Sequence, residues 1–558
     1  SPLAVTGVHP NTASRALSAS TLWRSAIVLT ATVIAVPVLV ILVSLLGPYS
    51  KAWQHLLDTV LVDYVVNSLL LMLGVGLGTL LLGVSTAWLT ALCDFPGRRL
   101  FSWALLLPMA MPAYIIAYTY TGLLDFAGPV QSALRSSFGW AHGDYWFPQI
   151  RSLEGAICML SLVLYPYVYL LTRIAFLQQS TAVLEASRSL GRSATQTFMQ
   201  VSLPLARPAI AAGISLALME TLADYGTVAY FGVSAFTTGI FRTWYGLGEL
   251  HTAAQLAAFL LLFVLVLFTL ERYSRARLRF HRTGNRAAPL RIRLTGWRAA
   301  AACMLSMAVV SAGFLLPAAQ LTVWGAEHYS SALTPAFIRL LANSFLLAAL
   351  ASLSCLLLAL LLGYGKRVHP GPVERAASRV ASMGYAVPGT VIAVGVMIPF
   401  AWVDNSVAAA LQQRFGISSG LLLSGTLGAL VFAYVVRFLA VSLQSVEAGL
   451  AQIRPEIDES ARSLGQTPLR VLKRIHLPML RGSLLTALLL VFVDVLKELP
   501  TTLILRPFNF NTLAVRAHEL ASDERLAEAA LPALAIVLIG LLPVILLTRN
   551  MSREPSAR

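Results

Sequence analysis

Long apolar runs separated by short polar links make up most of this chain. A helix needs about 20 apolar residues to cross a bilayer, and about twelve runs reach roughly that length. In the first half of the chain they lie near residues 25–47, 64–92, 101–123, 155–172, 208–233 and 253–270. In the second half they lie near residues 299–323, 340–365, 380–403, 418–436, 482–505 and 529–548. The pattern predicts an all-α integral membrane protein with about twelve transmembrane helices.

The composition also indicates a membrane protein. Of the 558 residues, 57% are hydrophobic and 12% are charged. Soluble domains carry about 25% charged residues, so a soluble globular protein is excluded. The cysteines, Cys93, Cys158, Cys303 and Cys355, form no CxxC pair and are expected to be small buried apolar residues. The histidines show no pair at the spacing of metal ligands, so no metal site is expected.

The basic residues indicate an orientation in the membrane. The formal net charge of +16 could point to nucleic acid, but the arginines crowd links between apolar runs, most densely in 272–298, with few aromatic residues among them. Short cytoplasmic links of membrane proteins are rich in Lys and Arg. We therefore expect both termini in the cytoplasm, no nucleic-acid partner, and outer links near 124–154, 324–339 and 404–417. The first run shows no obvious cleavage site, so it is expected to remain as a span.

The chain repeats itself after about half its length. Asn67-Ser68 recurs as Asn343-Ser344, and Pro112 recurs as Pro388, both at an offset of 276 residues. Because six runs separate the copies, they face the same side of the membrane and form parallel repeats. The predicted organisation is a cytoplasmic tail at 1–24, a first half at 25–271, a basic linker at 272–298, a second half at 299–548 and a cytoplasmic tail at 549–558.

A longer repeated block lies on the predicted cytoplasmic side. The first copy runs from Glu185-Ala-Ser-Arg-Ser-Leu-Gly191 to Val201-Ser-Leu-Pro204. The second copy runs from Glu459-Ser-Ala-Arg-Ser-Leu-Gly465 to Ile475-His-Leu-Pro478. The residues before each glycine favour a helix, the glycine ends it, and the Leu-Pro pair ends a second short helix, so each copy predicts a helix-turn-helix. An ordinary amphipathic loop is the alternative, which the identical spacing of two copies disfavours.

The block resembles the EAA loop of binding-protein-dependent ABC importer permeases. That loop reads Glu-Ala-Ala, three residues, Gly, nine residues and Ile-x-Leu-Pro, whereas this chain has Glu-Ala-Ser, Glu-Ser-Ala and, in place of the first Ile, Val201. The resemblance covers both halves and implies the type I ABC importer permease fold, with two parallel six-helix repeats. It also implies that each loop docks on an ATP-hydrolysing subunit and transmits its movement to the spans. The residues that the resemblance assigns to this coupling are Glu185, Ala186, Gly191, Leu203, Pro204, Glu459, Ser460, Gly465, Leu477 and Pro478.

The nucleotide site is expected on another polypeptide. This chain has no G-x-x-x-x-G-K-[ST] phosphate loop, whose backbone amides and lysine would bind the phosphates. The resemblance therefore implies a non-catalytic permease without a cofactor of its own. Its implied partners are membrane lipid, a periplasmic substrate-binding protein and two copies of an ABC ATPase subunit that holds ATP and Mg²⁺. The implied location is the bacterial inner membrane.

Two of the runs carry charges within the membrane. The fifth run holds Glu220 and Asp224, and the eleventh holds Asp494, Lys497 and Glu498. The acids lie four residues apart in both runs, which predicts that each pair shares one helix face. Because isolated charges in a bilayer are costly, they are expected to line the translocation path or its gate. Salt bridges between helices are the alternative, which Lys497 fits well, and the two roles are compatible.

The segments around these charges resemble the fused permeases of ferric-iron importers. The similar stretches are Glu220-Thr-Leu-Ala-Asp224-Tyr-Gly-Thr-Val-Ala-Tyr-Phe-Gly and Asp494-Val-Leu-Lys-Glu498-Leu-Pro-Thr-Thr. A hard cation such as Fe³⁺ prefers oxygen ligands, so an acidic path that includes Tyr225 would suit it. Related fused permeases carry thiamine or other small solutes, so another substrate stays open. An ion-coupled secondary transporter also has parallel six-span halves, but it leaves the repeated block unexplained.

Overall fold

Helices account for nearly all of the secondary structure. A computed structural model of the chain describes residues 10–141, 143–179, 187, 189–276, 291–332, 334–416 and 420–551. The α-helices in these ranges are Pro10–Ser44, Lys51–Thr59, Leu61–Leu92, Arg98–Ala104, Ala113–Leu124, Pro129–Phe138, Leu153–Leu177, Ala194–Thr197, Leu203–Ala223, Gly226–Tyr230, Phe236–Phe241, Leu250–Ala276, Trp297–Val310, Leu316–Ala332, Pro335–Val368, Pro372–Ala381, Gly389–Phe415, Leu427–Ala451, Pro455–Ser463, Pro468–Val471, Leu477–Met479, Arg481–Lys497, Pro500–Leu505, Leu513–Ser522 and Ala530–Met551. Tighter 3-10 turns occupy Leu107–Ala110 and Gly384–Ala386, and wider π-helical turns occupy Phe198–Ser202, Arg242–Gly246, Ser311–Leu315 and Leu472–His476. The short strands Cys93–Asp94 and Ile292–Arg293 pair in parallel.

The helices reproduce the predicted apolar runs. Within the described ranges, 9 helices are long and apolar enough to cross a membrane. Two further runs are pairs of helices, Arg98–Ala110 with Ala113–Phe138 at 93° and Pro468–Met479 with Arg481–Lys497 at 78°. The last run is the shorter apolar helix Ala530–Leu546. Each predicted run thus has its helical counterpart, and the all-α membrane class is confirmed.

The repeated prolines stand at the same kind of helix start in both halves. Pro112 follows the 3-10 turn Leu107–Ala110 and precedes the helix Ala113–Leu124. Pro388 follows the 3-10 turn Gly384–Ala386 and precedes the helix Gly389–Phe415. Proline has no N–H to donate and fixes its own φ, so it breaks the preceding turn and is well tolerated where a new helix begins.

Glycines allow close packing of the second and fourth spans. A Cβ added at Gly74 would lie 2.6 Å from Cδ1 of Ile157, and one added at Gly83 would lie 2.7 Å from Cβ of Val168. Both distances are far below van der Waals contact, so a side chain at either position would force the facing residue, Ile157 or Val168, to shift. Small residues allow helix backbones in membranes to approach closely, which explains the glycine-rich stretch of the helix Leu61–Leu92.

The chain forms two compact units by its internal contacts. One unit comprises Ser1–Val40, Leu346–Val387 and Gly395–Val495, and the other comprises Ile41–Phe345, Pro388–Val394 and Leu496–Arg558. Each unit therefore mixes segments from the two predicted sequence halves, whose boundaries remain a prediction about the repeat.

The first span of each half packs against helices of the other half. In the first unit, Nε of Arg24 lies 2.7 Å from Oε1 of the buried Glu374, and the ring centroids of Trp23 and Tyr364 are 6.0 Å apart. In the second unit, the Tyr120 hydroxyl donates to the Ala312 carbonyl at 2.7 Å. Within each unit, the first span of one sequence half therefore contacts a helix of the other half.

Two of the cysteines are not buried as predicted. Cys93 and Cys355 are buried, whereas Cys158 is exposed and Cys303 is half-buried. The expectation is thus wrong for Cys158, because an apolar helix in a membrane protein also has an outer face that other helices do not cover.

Candidate functional site

The second copy of the repeated block has the predicted helix-turn-helix form. Glu459 and Ser460 lie on the helix Pro455–Ser463, which ends before Gly465 at φ 72°. The N–H of Gln466 donates to the Ala461 carbonyl at 3.0 Å, and the N–H of Gly465 donates to the Arg462 carbonyl at 2.9 Å. These two bonds form a Schellman motif, in which a glycine with positive φ closes the helix. The chain then turns into the helix Pro468–Val471.

The first copy has the same backbone where the structure describes it. Glu185 and Ala186 lie outside the described residues. Gly191 has φ 80°, and the N–H of Arg192 donates to the Ser187 carbonyl at 3.3 Å, which is the equivalent of the bond from Gln466. A side chain at such a φ would strain the turn.

A π-helical turn comes immediately before the Leu-Pro pair in both copies. Phe198–Ser202 precedes Leu203-Pro204, and Leu472–His476 precedes Leu477-Pro478. A wider turn leaves a helix without some of its regular hydrogen bonds, and such turns are frequent at functional sites. The expectation that the Leu-Pro pair ends a short helix is wrong for the first copy, because Pro204 lies in the first turn of the helix Leu203–Ala223, where its missing N–H is tolerated.

Each copy exposes a leucine that the sequence interpretation did not single out. Leu190 and Leu464, which come directly before the two glycines, have side chains that are each 79% exposed. Around them the second copy presents the exposed polar residues Glu459, Ser460 and Arg462. An apolar side chain ringed by polar ones is typical of a protein-binding surface. Its signal in the sequence is the identical Leu-Gly step in both copies.

The second copy is firmly attached to the C-terminal end of the helix Pro335–Val368. Nε of Arg367 lies 2.6 Å from Oδ2 of Asp458, and its Nη2 donates to the Ile453 carbonyl at 2.9 Å. The Tyr364 hydroxyl donates to the Pro468 carbonyl at 2.7 Å. Charge-assisted bonds of this kind are strong and directional, so they hold the block against the end of this span.

The fifth and eleventh spans are broken, and this corrects the expectation that their acids share continuous helix faces. The helix Leu203–Ala223 contains Glu220 but ends before Asp224, whose backbone is extended at φ −67° and ψ 130°. The helix Arg481–Lys497 contains Asp494 and Lys497 but ends before Glu498. The four-residue spacing of the acids did not reveal this break. Asp224 and Glu498, the later acid of each pair, accept hydrogen bonds from N–H groups further along the chain and so belong to the segment after the break.

Asp224 and Glu498 cap the short helices that follow the two breaks. Oδ2 of Asp224 accepts from the N–H groups of Thr227 at 3.0 Å and Val228 at 3.1 Å. Oε2 of Glu498 accepts from the N–H groups of Thr501 at 3.2 Å and Thr502 at 3.4 Å. A carboxylate at this position satisfies N–H groups that have no partner within the helix and matches the positive end of its dipole.

The repeated Asn-Ser pair holds the segment beyond the break in each half. In the first half, Nδ2 of Asn67 donates to the Ser234 carbonyl at 2.9 Å, and Oγ of Ser68 accepts from the N–H of Phe236 at 3.4 Å. A small cavity next to this contact is lined by Ser68, Phe236 and Asp224.

The second half forms the same two contacts. Nδ2 of Asn343 donates to the Asn511 carbonyl at 3.2 Å, and Oγ of Ser344 accepts from the N–H of Leu513 at 2.8 Å. We call these four side chains the Asn-Ser clamps. They explain why the pair recurs in the sequence.

The two broken spans meet each other in the second unit. A Cβ at Gly226 would lie 2.7 Å from Cβ of Tyr114 and 2.8 Å from Cδ2 of Leu499. The Tyr245 hydroxyl donates to the Ile504 carbonyl at 3.1 Å. The ring of the buried Tyr225 lies 6.1 Å from the ring of His518. The structure therefore brings Asp224, Tyr225 and Glu498 into one region built from both sequence halves.

The remaining charged candidates precede the breaks. Glu220, Asp494 and Lys497 are half-buried in the last turns of their helices. Within the residues that the structure describes, no group of three or more His, Cys, Asp or Glu side chains is placed to hold a metal ion. Asp224 and Glu498 in this region lie at capped helix ends.

Comparison with known proteins gives a consistent picture. The model of the family described as binding-protein-dependent transport system inner membrane component matches residues 16–280 and 355–554. The Fe(3+)-transport system permease protein FbpB 2 of Haemophilus influenzae is 26% identical over 491 residues, which cover 87% of this chain and 89% of that protein. The ferric transport system permease protein FbpB of Actinobacillus pleuropneumoniae is 23% identical over 78% of this chain and 63% of its own length. The molybdenum transport system permease protein ModB of Escherichia coli K12 is 27% identical over 27% of this chain and 62% of its own length.

Proposed function

Because this chain belongs to the family of binding-protein-dependent transport system inner membrane components, we propose that it is the permease subunit of an ATP-driven importer of ferric iron. The observation that carries this proposal is the similarity to a ferric transport permease along almost the whole chain. The two matched ranges fall in the two predicted halves. One range contains the first repeated block, and the other contains the second. The chain is a multi-pass protein of the inner membrane, and we place both termini in the cytoplasm on the charge pattern of its links.

The two repeated blocks are the proposed docking sites for ATPase subunits. Leu190 and Leu464 would each insert into an apolar groove of one subunit, with Glu185 or Glu459 making polar contacts beside them. The exposed leucines support this assignment, because an apolar side chain that is 79% exposed loses free energy unless something covers it. Two equivalent blocks fit two copies of one ATPase, which would hold ATP and Mg²⁺.

The mechanism follows from rigid attachment. Arg367 and Tyr364 fasten the second block to the helix Pro335–Val368, so a displacement of the docked ATPase would tilt that span. The Leu-Pro pair joins each block to a broken span that carries Asp224 or Glu498 at its end. Movement of the blocks would therefore shift the capped helix ends against each other, which is a form of alternating access.

Iron is the proposed substrate, delivered by a periplasmic binding protein. Carboxylate and phenol oxygens suit a hard cation, and the two broken spans bring such groups together. The resemblance to a molybdenum permease covers a much smaller part of the chain, so an oxyanion is the less favoured cargo. We also propose that ATP, rather than an ion gradient, drives the cycle, because a secondary transporter would have no use for two docking blocks.

The partners and cargo can be tested by purification. The permease should co-purify with its ATPase, and a ferric-loaded binding protein should stimulate ATP hydrolysis by this complex in lipid nanodiscs. A molybdate-loaded binding protein should leave hydrolysis at its basal rate. Stimulation by the molybdate-loaded protein, with none by the ferric-loaded one, would assign the chain to the other cargo.

A further inference from the structure

A stripe of hydroxyl groups follows one face of the helix Ala113–Leu124. Tyr114, Tyr118 and Thr121 are spaced by four and three residues, so they lie on the same face of the helix. All three are buried, and the rings of Tyr114 and Tyr118 are only 5% and 1% exposed. A buried helix face in a membrane protein is ordinarily apolar, so a row of hydroxyls needs a physical reason.

The hydroxyls of Tyr114 and Tyr118 are unpaired within the described part of the chain. Other buried tyrosines nearby have partners: the Tyr120 hydroxyl donates to the Ala312 carbonyl, and the Tyr165 hydroxyl donates to the Leu105 carbonyl, both at 2.7 Å. Buried polar groups are nearly always hydrogen-bonded, and each exception calls for an explanation such as a functional role.

The stripe leads from the capped helix ends to a charged mouth. At one end, Tyr114 lies beside the residue that follows Glu498, since a Cβ at Gly226 would lie 2.7 Å from Cβ of Tyr114 and 2.8 Å from Cδ2 of Leu499. In the middle, Tyr118 lies about one turn further along the same helix face. At the other end, the guanidinium of Arg151 lies 5.2 Å from the centre of the Tyr230 ring.

Two carboxylates complete the mouth. Nη1 of Arg151 lies 3.3 Å from Oε1 of Glu524, and its Nη2 lies 3.9 Å from Oδ2 of Asp125. Both acids are more than half exposed at their side chains, so water reaches this end of the stripe. Because Asp125 directly follows the helix Ala113–Leu124, the stripe ends at this exposed acidic mouth, and Tyr114 lies at the opposite end of the helix.

We infer that Tyr114 and Tyr118, together with Glu498, form a transient site through which the transported cation passes. This inference rests on the proposed function, because it names the oxygen ligands that a ferric ion would meet inside the permease. Each phenol that binds Fe³⁺ gives up its proton to water, which leaves a phenolate oxygen as the ligand. The carboxylate oxygens of Glu498 accept from the N–H and hydroxyl groups of Thr501 and Thr502, so a passing cation would replace some of these donors.

The small number of ligands fits a transport role. Two phenols and one carboxylate fill only part of the coordination shell that a hard cation requires, so the ion would be held weakly and released onward. Conduction needs binding that is favourable enough for entry and weak enough for exit. A resident metal centre would instead provide a complete ligand set.

The test compares two variants in which tyrosines of the same helix lose their hydroxyl groups. Tyr114→Phe and Tyr118→Phe are combined in one double variant, and Tyr120→Phe is the matched control, because its hydroxyl faces a carbonyl away from the stripe. Each is purified with its ATPase and reconstituted, and iron uptake, ATP hydrolysis and thermal stability are measured. The double variant should lose about tenfold in iron uptake while retaining stability, and the control should stay within about twofold of the unmodified protein.

A spectroscopic measurement adds a readout that is independent of transport. Ferric citrate added to the unmodified permease complex should produce the visible absorption band of an Fe³⁺–phenolate bond, and the double variant should not produce it. Iron import at the normal rate by the double variant, or persistence of the band in it, would overturn the inference alone. Failure of the unmodified protein to import iron would instead overturn the proposed function and this site with it.

Discussion

Asp224 and Glu498 lie 274 residues apart in the sequence, and each accepts hydrogen bonds from the N–H groups three and four residues further on. Each carboxylate therefore ends one helix of a broken span and begins the next. The structure thus gives both acids a definite structural role as helix caps.

Substitutions of Asp224 can separate its role as a helix cap from the role of its negative charge. Asn caps a helix about as well as Asp, whereas Ala in place of a good cap lowers stability by about 1 kcal/mol. We expect Asp224→Asn to keep the thermal stability of the complex but to lose most of its iron uptake, because the proposed path needs the negative charge. Asp224→Ala should lose both. Thermal unfolding and uptake by reconstituted vesicles measure the two effects.

The exposed Asp58 provides the control, since Asp58→Asn removes the same charge far from the breaks in sequence. Normal uptake by Asp224→Asn, combined with reduced stability of Asp224→Ala, would show that Asp224 serves only as a cap.

The Asn-Ser clamps should restrain the segments beyond the breaks. We expect Asn67→Ala to speed hydrogen exchange in 234–241, and Asn343→Ala to do so in 511–522, because each loses a bond worth about 1 kcal/mol. Hydrogen–deuterium exchange with mass spectrometry would measure this. Ser85→Ala is a suitable control, since the Ser85 hydroxyl donates to the Leu81 and Leu82 carbonyls of its own helix. Unchanged hydrogen-exchange rates in both segments would show that the clamps do not stabilise them.

The exposed leucines should decide whether the ATPase binds. Leu190→Ser combined with Leu464→Ser removes apolar surface from both docking blocks, and we expect the ATPase to dissociate during purification. The affinity should fall by about tenfold or more, as expected for the loss of apolar anchors at an interface. Phe508, which is 99% exposed on the predicted outer side, serves as the control through Phe508→Ser. An ATPase that remains bound at unchanged affinity would rule out docking through these side chains.

Arg367 should transmit the movement of the docked ATPase. Arg367→Ala removes the contacts to Asp458 and to the Ile453 carbonyl, so we expect ATP hydrolysis to continue while iron uptake falls by about tenfold. Arg367→Lys keeps the charge but not the geometry of the guanidinium. Its iron uptake should lie between that of Arg367→Ala and that of the unmodified protein. The control is Arg375→Ala, because Arg375 is exposed and donates only to the Gly371 carbonyl of its own helix turn. Uptake that stays proportional to hydrolysis in Arg367→Ala would contradict this role.

The sequence predicted the spans and the form of the repeated block well, for clear physical reasons. Membrane helices require long apolar runs, and Gly465 is a strong local signal that ends a helix. The breaks were missed because the apolar run around Ala223 continues past it, and hydropathy alone cannot distinguish one helix from two. The available signal was the spacing of an acid and a threonine, Asp224 to Thr227, which is typical of a helix cap.

The exposed leucines and the tyrosine stripe were missed for a different reason. Leu464 and Tyr114 are residue types that most often pack in a core, and the sequence does not show which side of a helix is covered. The exposure of Leu464 and the missing hydrogen-bond partner of the Tyr114 hydroxyl became visible only once the neighbouring helices were in place.

The central claim is that ATP drives iron through this chain, and uptake by sealed vesicles tests it most directly. The permease is reconstituted with its ATPase, and the ferric binding protein is enclosed on the side opposite to the ATPase. Radioactive iron should cross the membrane only when ATP and Mg²⁺ are supplied to the ATPase side. Import that proceeds with a proton gradient and without ATP would contradict the account.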